Sequence, residues 1–323
     1  MRGLVCLLLI SRCGAASADV APVGFIGLGI MGQGMARCLL SSGTPLHVWS
    51  RRSEVSEALA AEEELGASVT VASSPAAVIA ACERTYLMLS TPESCEQVYT
   101  QEGGVLDGVI AGKQLVDCAT LRPEDMASLA ARVRERGGTF LEAPVSGSKA
   151  PAAQGQLIFM TAGDEDTYKQ SALELEAMGK LSVFCGREVG LATKMKLCVN
   201  MVMGAQLAAI SEGLALADDL GLDLGDVQAV LDSGAMASPM LKLKGPLMAK
   251  REFATAFPLK YALKDLRFAL KLAGELEQPL PLPVSAAATA AYTEADEGAG
   301  LGESDFSAVH EVVRAAAQRG ERV

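Results

Sequence analysis

The chain has 323 residues, half of them hydrophobic, and 28 Lys and Arg against 39 Asp and Glu, a net charge of −11. That length suits two domains with substantial cores, and an acidic chain with no basic run and only 4% aromatics is a poor partner for nucleic acid or an anionic membrane. Eight dispersed cysteines (Cys6, Cys13, Cys38, Cys82, Cys95, Cys118, Cys185, Cys198) form no C-x-x-C pair and read as small buried residues, and with only His47 and His310 beside them no metal site is expected.

At the N-terminus, Met1-Arg2 precedes an apolar run from Gly3 to Ile10, and the small residues Ala15 to Ala18 follow. This pattern predicts a targeting segment over residues 1–18, either secretory or an import sequence for a plastid or mitochondrion; without such a function the chain would be cytoplasmic. The run is too short to span a bilayer.

Val23 to Ile26 reads as a strand, Gly27-Leu28-Gly29-Ile30-Met31-Gly32 as a glycine turn, and Met31 to Leu40 as a helix. In that context G-x-G-x-x-G is a strong dinucleotide signal. Gly27 permits the tight turn, Gly29 lets backbone approach a pyrophosphate, Gly32 allows close helix–strand packing, and the helix N-terminus faces the anion. The next strand, Leu46 to Trp49, ends in Ser50-Arg51-Arg52-Ser53, where an NAD site usually places an acid. Two arginines and two hydroxyls suit a 2′-phosphate instead, so the expected cofactor is NADPH.

Further strands are predicted at Ser68–Val71, Thr85–Leu89, Gln114–Asp117, Thr139–Leu141, Leu157–Thr161 and Leu181–Phe184. Helices are predicted at Glu54–Leu65, Pro75–Ala81, Pro123–Arg136 and Glu165–Ala177. Such alternation argues for a doubly wound sheet with its ligand at the carboxyl ends of the strands. Leu89-Ser90-Thr91-Pro92, Cys118-Ala119-Thr120 and Ala143 to Gly147 all sit at such ends. A Walker-type loop is excluded, because Gly112-Lys113 lacks the spacing and the hydroxyl.

Gly190 to Gly221 contains no proline and begins and ends on glycine, which predicts one helix roughly 45–50 Å long joining two domains. By length it could cross a membrane, but Asn200, Gln206, Ser211 and Glu212 within it favour a buried helix of a globular protein. Lys196 and Asn200 lie four apart and project from one face. Helices are expected at Leu224–Leu231, Lys260–Leu276, Pro283–Ala295 and Phe306–Ala317, the last capped by Asp305, while Gly234 to Pro258 reads as irregular. The expected architecture is a Rossmann-like domain over 20–188 and an all-helical domain over 189–323, whose apolar composition suggests a homo-oligomer.

GFIGLGIMGQGMA from Gly24, EAPVSGSKAPAAQGQL from Glu142, KMKLCVNMVMG from Lys194, GAMASPMLKLKGP from Gly234 and FPLKYALKDLRFAL from Phe257 occur in this order. Together they resemble the β-hydroxyacid dehydrogenase (3-hydroxyisobutyrate dehydrogenase-related) family, most closely its plant-type glyoxylate/succinic semialdehyde reductase branch. The resemblance implies hydride transfer from NADPH to a small aldehyde or 2-oxo acid. It makes Lys196, four before Asn200, the proton donor rather than Lys194, and Asn200 its companion. It further implies that Ser146, Gly147 and Thr120 bind substrate, Thr120 at the nicotinamide end, and that Phe257 closes the site. Gly27, Leu28, Gly29, Ile30, Met31, Gly32, Ser50, Arg51, Ser53, Leu89, Thr120 and Asp265 fall at cofactor positions, with Asp265 near the lysine, and Lys260 is a further candidate. Neither histidine matches a family position. Two other functions fit the same resemblance. One is an NAD(P)-dependent 3-hydroxyisobutyrate-type dehydrogenase; the other is a catalytically silent NADP-binding interaction protein, a branch that lacks the lysine.

Overall fold

The structure, a computed structural model, describes residues 20–62 and 65–319, so the targeting segment expected over 1–18, with Cys6 and Cys13, lies outside the described residues. Among the described residues nine strands form one sheet: β1 (Val23–Ile26), β2 (Leu46–Trp49), β3 (Val69–Val71), β4 (Arg84–Leu87), β5 (Gln114–Asp117), β6 (Thr139–Glu142), β7 (Val145–Ser146), β8 (Leu157–Gly163) and β9 (Gly179–Gly186). The first six are parallel in the order β3-β2-β1-β4-β5-β6. The chain order therefore reverses between β1 and β4, the place where a doubly wound sheet opens a ligand crevice. The remaining strands depart from simple winding. β8 runs antiparallel to β6 and β7, and β9 pairs parallel with β8.

Alternating side chains fill both faces of the sheet, as the period of two requires. Phe25, Val48 and Tyr86 pack with Met35 and Leu39 of the helix Ile30–Ser41 on one face, and Ile26, Leu87 and Phe140 pack with Val78, Met126 and Val133 on the other. Register then aligns the strand ends. Ile26 pairs with Leu87, Leu87 with Asp117, and Asp117 with Glu142, so the segments after β1, β4, β5 and β6 leave along one edge.

The long helix runs from Leu191 to Asp219, 29 residues and about 43 Å. The N-cap Gly190 is left-handed, at φ +109°, where an N-cap is ordinarily extended, and Gly221 also turns left-handed, at φ +71° beyond Leu220, the conformation that closes a helix C-terminus. There Leu222 N–H reaches Ala217 O at 2.9 Å and Gly221 N–H reaches Asp218 O at 3.0 Å, a Schellman closure. Though long and apolar enough to cross a membrane by composition, the helix buries Thr193, Lys196, Asn200, Gly204, Leu207 and Ser211 in one stripe against protein. That stripe meets β8 and the helices Leu259–Gly274, Pro283–Thr293 and Val309–Arg319. Gly204 lets the Leu259–Gly274 helix close in, since a Cβ there would stand 3.1 Å from Leu266 Cδ2.

Two helices that the sequence reading does not predict open on proline, Pro239 and Pro92, since the first turn needs no proline N–H, and Pro246 lies inside the former. Ser238 Oγ accepts from Leu241 N–H at the start of Pro239–Lys250, within the stretch expected to be irregular. At Pro92–Thr100, Thr91 and Ser94 form a reciprocal capping box. The stretch read as one helix over Glu165–Ala177 is two, Glu165–Gln170 and Ala172–Met178, meeting at Ser171. Cysteine burial is also less uniform than expected: Cys82, Cys95 and Cys118 are buried, Cys38 and Cys185 half-buried, and Cys198 is exposed.

Candidate active site

The glycine turn after β1 is sterically closed at Gly27 and Gly32 and open at Gly29. Gly27 sits at φ +100°, and a Cβ on it would meet Met88 O at 2.4 Å; a Cβ on Gly32 would meet Gly27 O at 2.0 Å. Gly29 differs. A Cβ added there would meet no protein atom within 4 Å, and its φ is an ordinary −76°, so neither packing nor backbone demands glycine. Open approach for a ligand is what remains. The helix it begins carries no side-chain cap and no acid in its first turn, leaving its amides free for an anion, with Ile30 exposed and Met31 half-buried beside them. This cradle fits a dinucleotide pyrophosphate. Leu28 is in the core, so only its backbone faces the crevice, and Leu89 Cδ2 lies 3.1 Å from where a Cβ on Gly27 would stand. At the end of β2, Ser50 is half-buried while Arg51 and Ser53 are exposed, and the helix Ser53–Ala60 starts there without a side-chain cap.

Lys196 is 6% exposed and Asn200 4%. The ammonium donates to Asn200 Oδ1 at 2.7 Å, and Asn200 Nδ2 donates to Asp265 Oδ2 at 2.6 Å. Burial lowers the Lys196 pKa to about 8; Asp265 opposes that shift and Lys264 adds to it. Lys196 is thus an ammonium poised to lose its proton near neutrality, held by a neutral amide rather than neutralised by direct ion pairing. Lys194, two residues earlier, is only half-buried and points elsewhere.

Asp265 belongs to the Leu259–Gly274 helix, which also supplies Lys264, a residue the sequence reading passed over. Lys264 lies 2.9 Å from Asp265 Oδ1 and donates to the Thr120 carbonyl. One side chain therefore ties the helical domain to the segment after β5. Thr120 is half-buried, as is Ser146 on β7, which runs beside the long helix, and Gly147 follows at φ +140°. Phe257 stacks edge-on against Phe306 at 5.4 Å, and its N–H donates to Asp305 Oδ2 at 3.2 Å. Lys260 is drawn away to Glu303, and His310 is buried at 2% in the helical core, so neither joins the lysine.

Three buried carboxylates organise these parts, each with at least one partner distant in sequence. Asp117, ending β5, accepts from Tyr99 OH at 2.7 Å and Ala119 N–H at 2.9 Å, fixing the turn into Thr120; burial raises its pKa to about 6 against both bonds. Asp305 caps the turn Phe306–Ala308, as expected, and also pairs with buried Lys244 at 2.8 Å. Glu142, ending β6, accepts four hydrogen bonds from the start of the long helix. Only the Asp305 cap is visible from spacing; the Asp117–Tyr99, Glu142–Gly190 and Asp305–Lys244 contacts span 18, 48 and 61 residues.

Comparison with known proteins bears on the whole chain. Residues 22–194 match the family described as the NAD binding domain of 6-phosphogluconate dehydrogenase, and residues 190–313 the family described as NAD-binding of NADP-dependent 3-hydroxyisobutyrate dehydrogenase. The chain belongs to the 3-hydroxyisobutyrate dehydrogenase-related family. It is an oxidoreductase of the nicotinamide-dependent kind. Two relatives from Arabidopsis thaliana are glyoxylate/succinic semialdehyde reductase 1, 44% identical over 90% of this chain and 98% of that protein, and glyoxylate/succinic semialdehyde reductase 2, chloroplastic, 42% identical over 92% and 80%. The human cytokine-like nuclear factor N-PAC is 37% identical over 92% of this chain but only 53% of its own length. Among solved structures, Psf3 in complex with NADP+ and 2-OPP superposes with a TM-score of 0.81 at 27% identity, covering 90% of this chain and 99% of that one. A 3-hydroxyisobutyrate dehydrogenase from Salmonella typhimurium gives the same TM-score at 26% identity over the same shares.

Proposed function

We propose that this member of the family is an NADPH-dependent reductase of glyoxylate or succinic semialdehyde, with Lys196 as the proton donor. The observation that carries the reading is the buried Lys196–Asn200–Asp265 chain standing where the helical domain meets the strand ends of a dinucleotide fold. Bound NADPH supplies the hydride. The chain's own residues do the rest. The glycine turn and Leu89 seat the dinucleotide, and Arg51 with Ser50 and Ser53 meets the 2′-phosphate as a guanidinium fork can. Ser146, Gly147 and Thr120 orient the substrate carboxylate and carbonyl, while Phe257 covers them. Lys196 gives its proton to the oxygen that becomes anionic, and Asn200 holds the amine toward it.

Sequence identity to the two Arabidopsis reductases supports the substrate class, and the name of the second supports a plastid destination for the segment over residues 1–18. Residues 20–188 then form the cofactor domain and 189–323 the substrate domain. Exposed Val202, Leu216, Val230 and Leu243 on the latter support a homo-oligomer. The test is an NADPH-oxidation assay across semialdehydes and 2-oxo acids, with Lys196→Ala beside the wild type. Turnover of glyoxylate or succinic semialdehyde that Lys196→Ala loses, with NADPH binding retained, is the expected result; equal turnover by the variant sinks the lysine assignment. The match to 3-hydroxyisobutyrate dehydrogenase favours a second reading, oxidation of a 3-hydroxy acid. Turnover of a 3-hydroxy acid with no reduction of glyoxylate or succinic semialdehyde would favour it, and a strong preference for NAD+ over NADP+ at equal concentration would contradict the role given to Arg51.

A further inference from the structure

Glu142 ends β6 with its carboxylate fully buried, 0% exposed, inside the first turn of the long helix. Oε1 accepts from Gly190 N–H at 2.6 Å and Ala192 N–H at 2.9 Å; Oε2 accepts from Thr193 N–H at 3.2 Å and Thr193 Oγ1 at 2.6 Å. A helix is ordinarily capped by its own N-cap side chain. Here that residue is Gly190, which has none, and the cap comes from the sheet 48 to 51 residues earlier in the chain. Four donors converging on one carboxylate fix more than the end of a helix. They specify its rotation and its axial position relative to β6.

Lys196 lies four residues after Ala192 and three after Thr193, on the same face. A one-residue slip in helix register would turn that face by about 100° and shift it by about 1.5 Å along the axis, carrying the amine away from the strand ends. Beyond Lys196 the next fixed points are Asn200 to Asp265 and Gly204 against Leu266, both within the helical domain. On the sheet side the carboxylate is the polar anchor of this first turn. It stands in the same register row as Asp117, which sets the turn into Thr120.

We propose that Glu142 is a positioning residue, setting the place of the Lys196 ammonium relative to ligands at Thr120 and Ser146. This rests on Lys196 being the proton donor. Replacement should be graded by the acceptors it leaves. Glu142→Gln keeps one oxygen for Gly190 and Ala192 but turns an NH2 toward Thr193, so the Thr193 amide is left without its acceptor and the Thr193 hydroxyl must turn from donating to accepting. Glu142→Ala loses all four bonds, and Thr193→Val loses only the hydroxyl.

The experiment measures kcat, KM and the pH profile of NADPH-dependent glyoxylate reduction for these three variants and Lys196→Ala, each normalised to sites that bind NADPH by fluorescence titration. Expected is a kcat about tenfold lower for Glu142→Gln, about a hundredfold lower for Glu142→Ala and a few-fold lower for Thr193→Val. NADPH affinity should be unchanged, and the alkaline limb of the profile displaced. If Glu142→Ala does not fold, Glu142→Gln and Thr193→Val decide. Normalised kcat and pH profile equal to wild type in those two, with Lys196→Ala inactive, overturn the positioning role and leave the lysine assignment standing. Full turnover by Lys196→Ala overturns that assignment, and this proposal with it.

Discussion

Lys196 donates to Asn200 Oδ1 at 2.7 Å across one turn of the same helix, and the amide has only one satisfactory orientation, because its NH2 is committed to Asp265. Asn200→Leu keeps the size of the side chain and removes both contacts. It should lower kcat about a hundredfold while leaving NADPH affinity within a factor of about two. Steady-state kinetics beside a fluorescence titration of NADPH check this; an unchanged kcat would separate Asn200 from the chemistry.

The pH dependence has a definite sign. Burial brings Lys196 down to about 8, so the donor is protonated below that pH and lost above it. Reduction should be flat on the acid side and fall as pH rises through about 8, whereas the reverse oxidation should rise over the same range. Asp265 is the group that holds the ammonium up, so Asp265→Asn should move the limb toward lower pH. A profile of kcat for both enzymes, taken in both directions, is the check; a limb in Asp265→Asn at higher pH than in wild type contradicts the arrangement.

The glycine turn predicts a contrast between two conservative substitutions. Gly29→Ala meets no protein atom within 4 Å, so it should fold with an unchanged Tm and bind NADPH far more weakly. Gly32→Ala drives a methyl to 2.0 Å from Gly27 O and should damage stability as well as binding. Thermal melts with and without NADPH distinguish the two, since only a folded, binding-competent chain gains stability from the ligand. A Gly29→Ala protein that binds NADPH normally would remove the cofactor from that position.

Local features of this kind are legible in the sequence. The glycine spacing, the Lys196–Asn200 interval and the glycine boundaries of the long helix each depend on residues within one or two turns of each other, and each appears in the fold as read. Glu142 belongs to a recognisable stretch yet carries no visible role there, because its partners begin at Gly190, 48 residues later, and only the folded chain brings them together. Lys264 is hidden by its neighbour: Asp265 draws the reading, while the contact of Lys264 with Thr120 spans 144 residues. The helix Pro239–Lys250 escapes notice because proline is ambiguous in sequence: Pro239 occupies the first position, where it initiates, and Pro246 is tolerated inside the helix, where proline ordinarily breaks one.

Lys244 and Asp305 form an ion pair with side chains 3% and 0% exposed, and Asp305 also holds the Phe257 amide. Lys244→Met leaves that carboxylate buried and unpaired, which should cost about 3–5 kcal/mol. Asp305→Asn in the Lys244→Met background should recover part of the loss by removing the stranded charge. Chemical denaturation of the two variants measures this directly; a Lys244→Met protein as stable as wild type would show that the pair contributes nothing net.

The 29-residue helix has a mechanical consequence. It is pinned to the sheet at Glu142 and to the helical domain at Asp265, with the Lys196 amine between the pins, and it contains no proline at which to flex. A loop between two domains would let them approach and part while the chemical groups stayed with one side. A rigid strut does not. The spacing between the halves of the molecule and the position of the Lys196 amine are a single mechanical coordinate, and a change in one is read directly in the other.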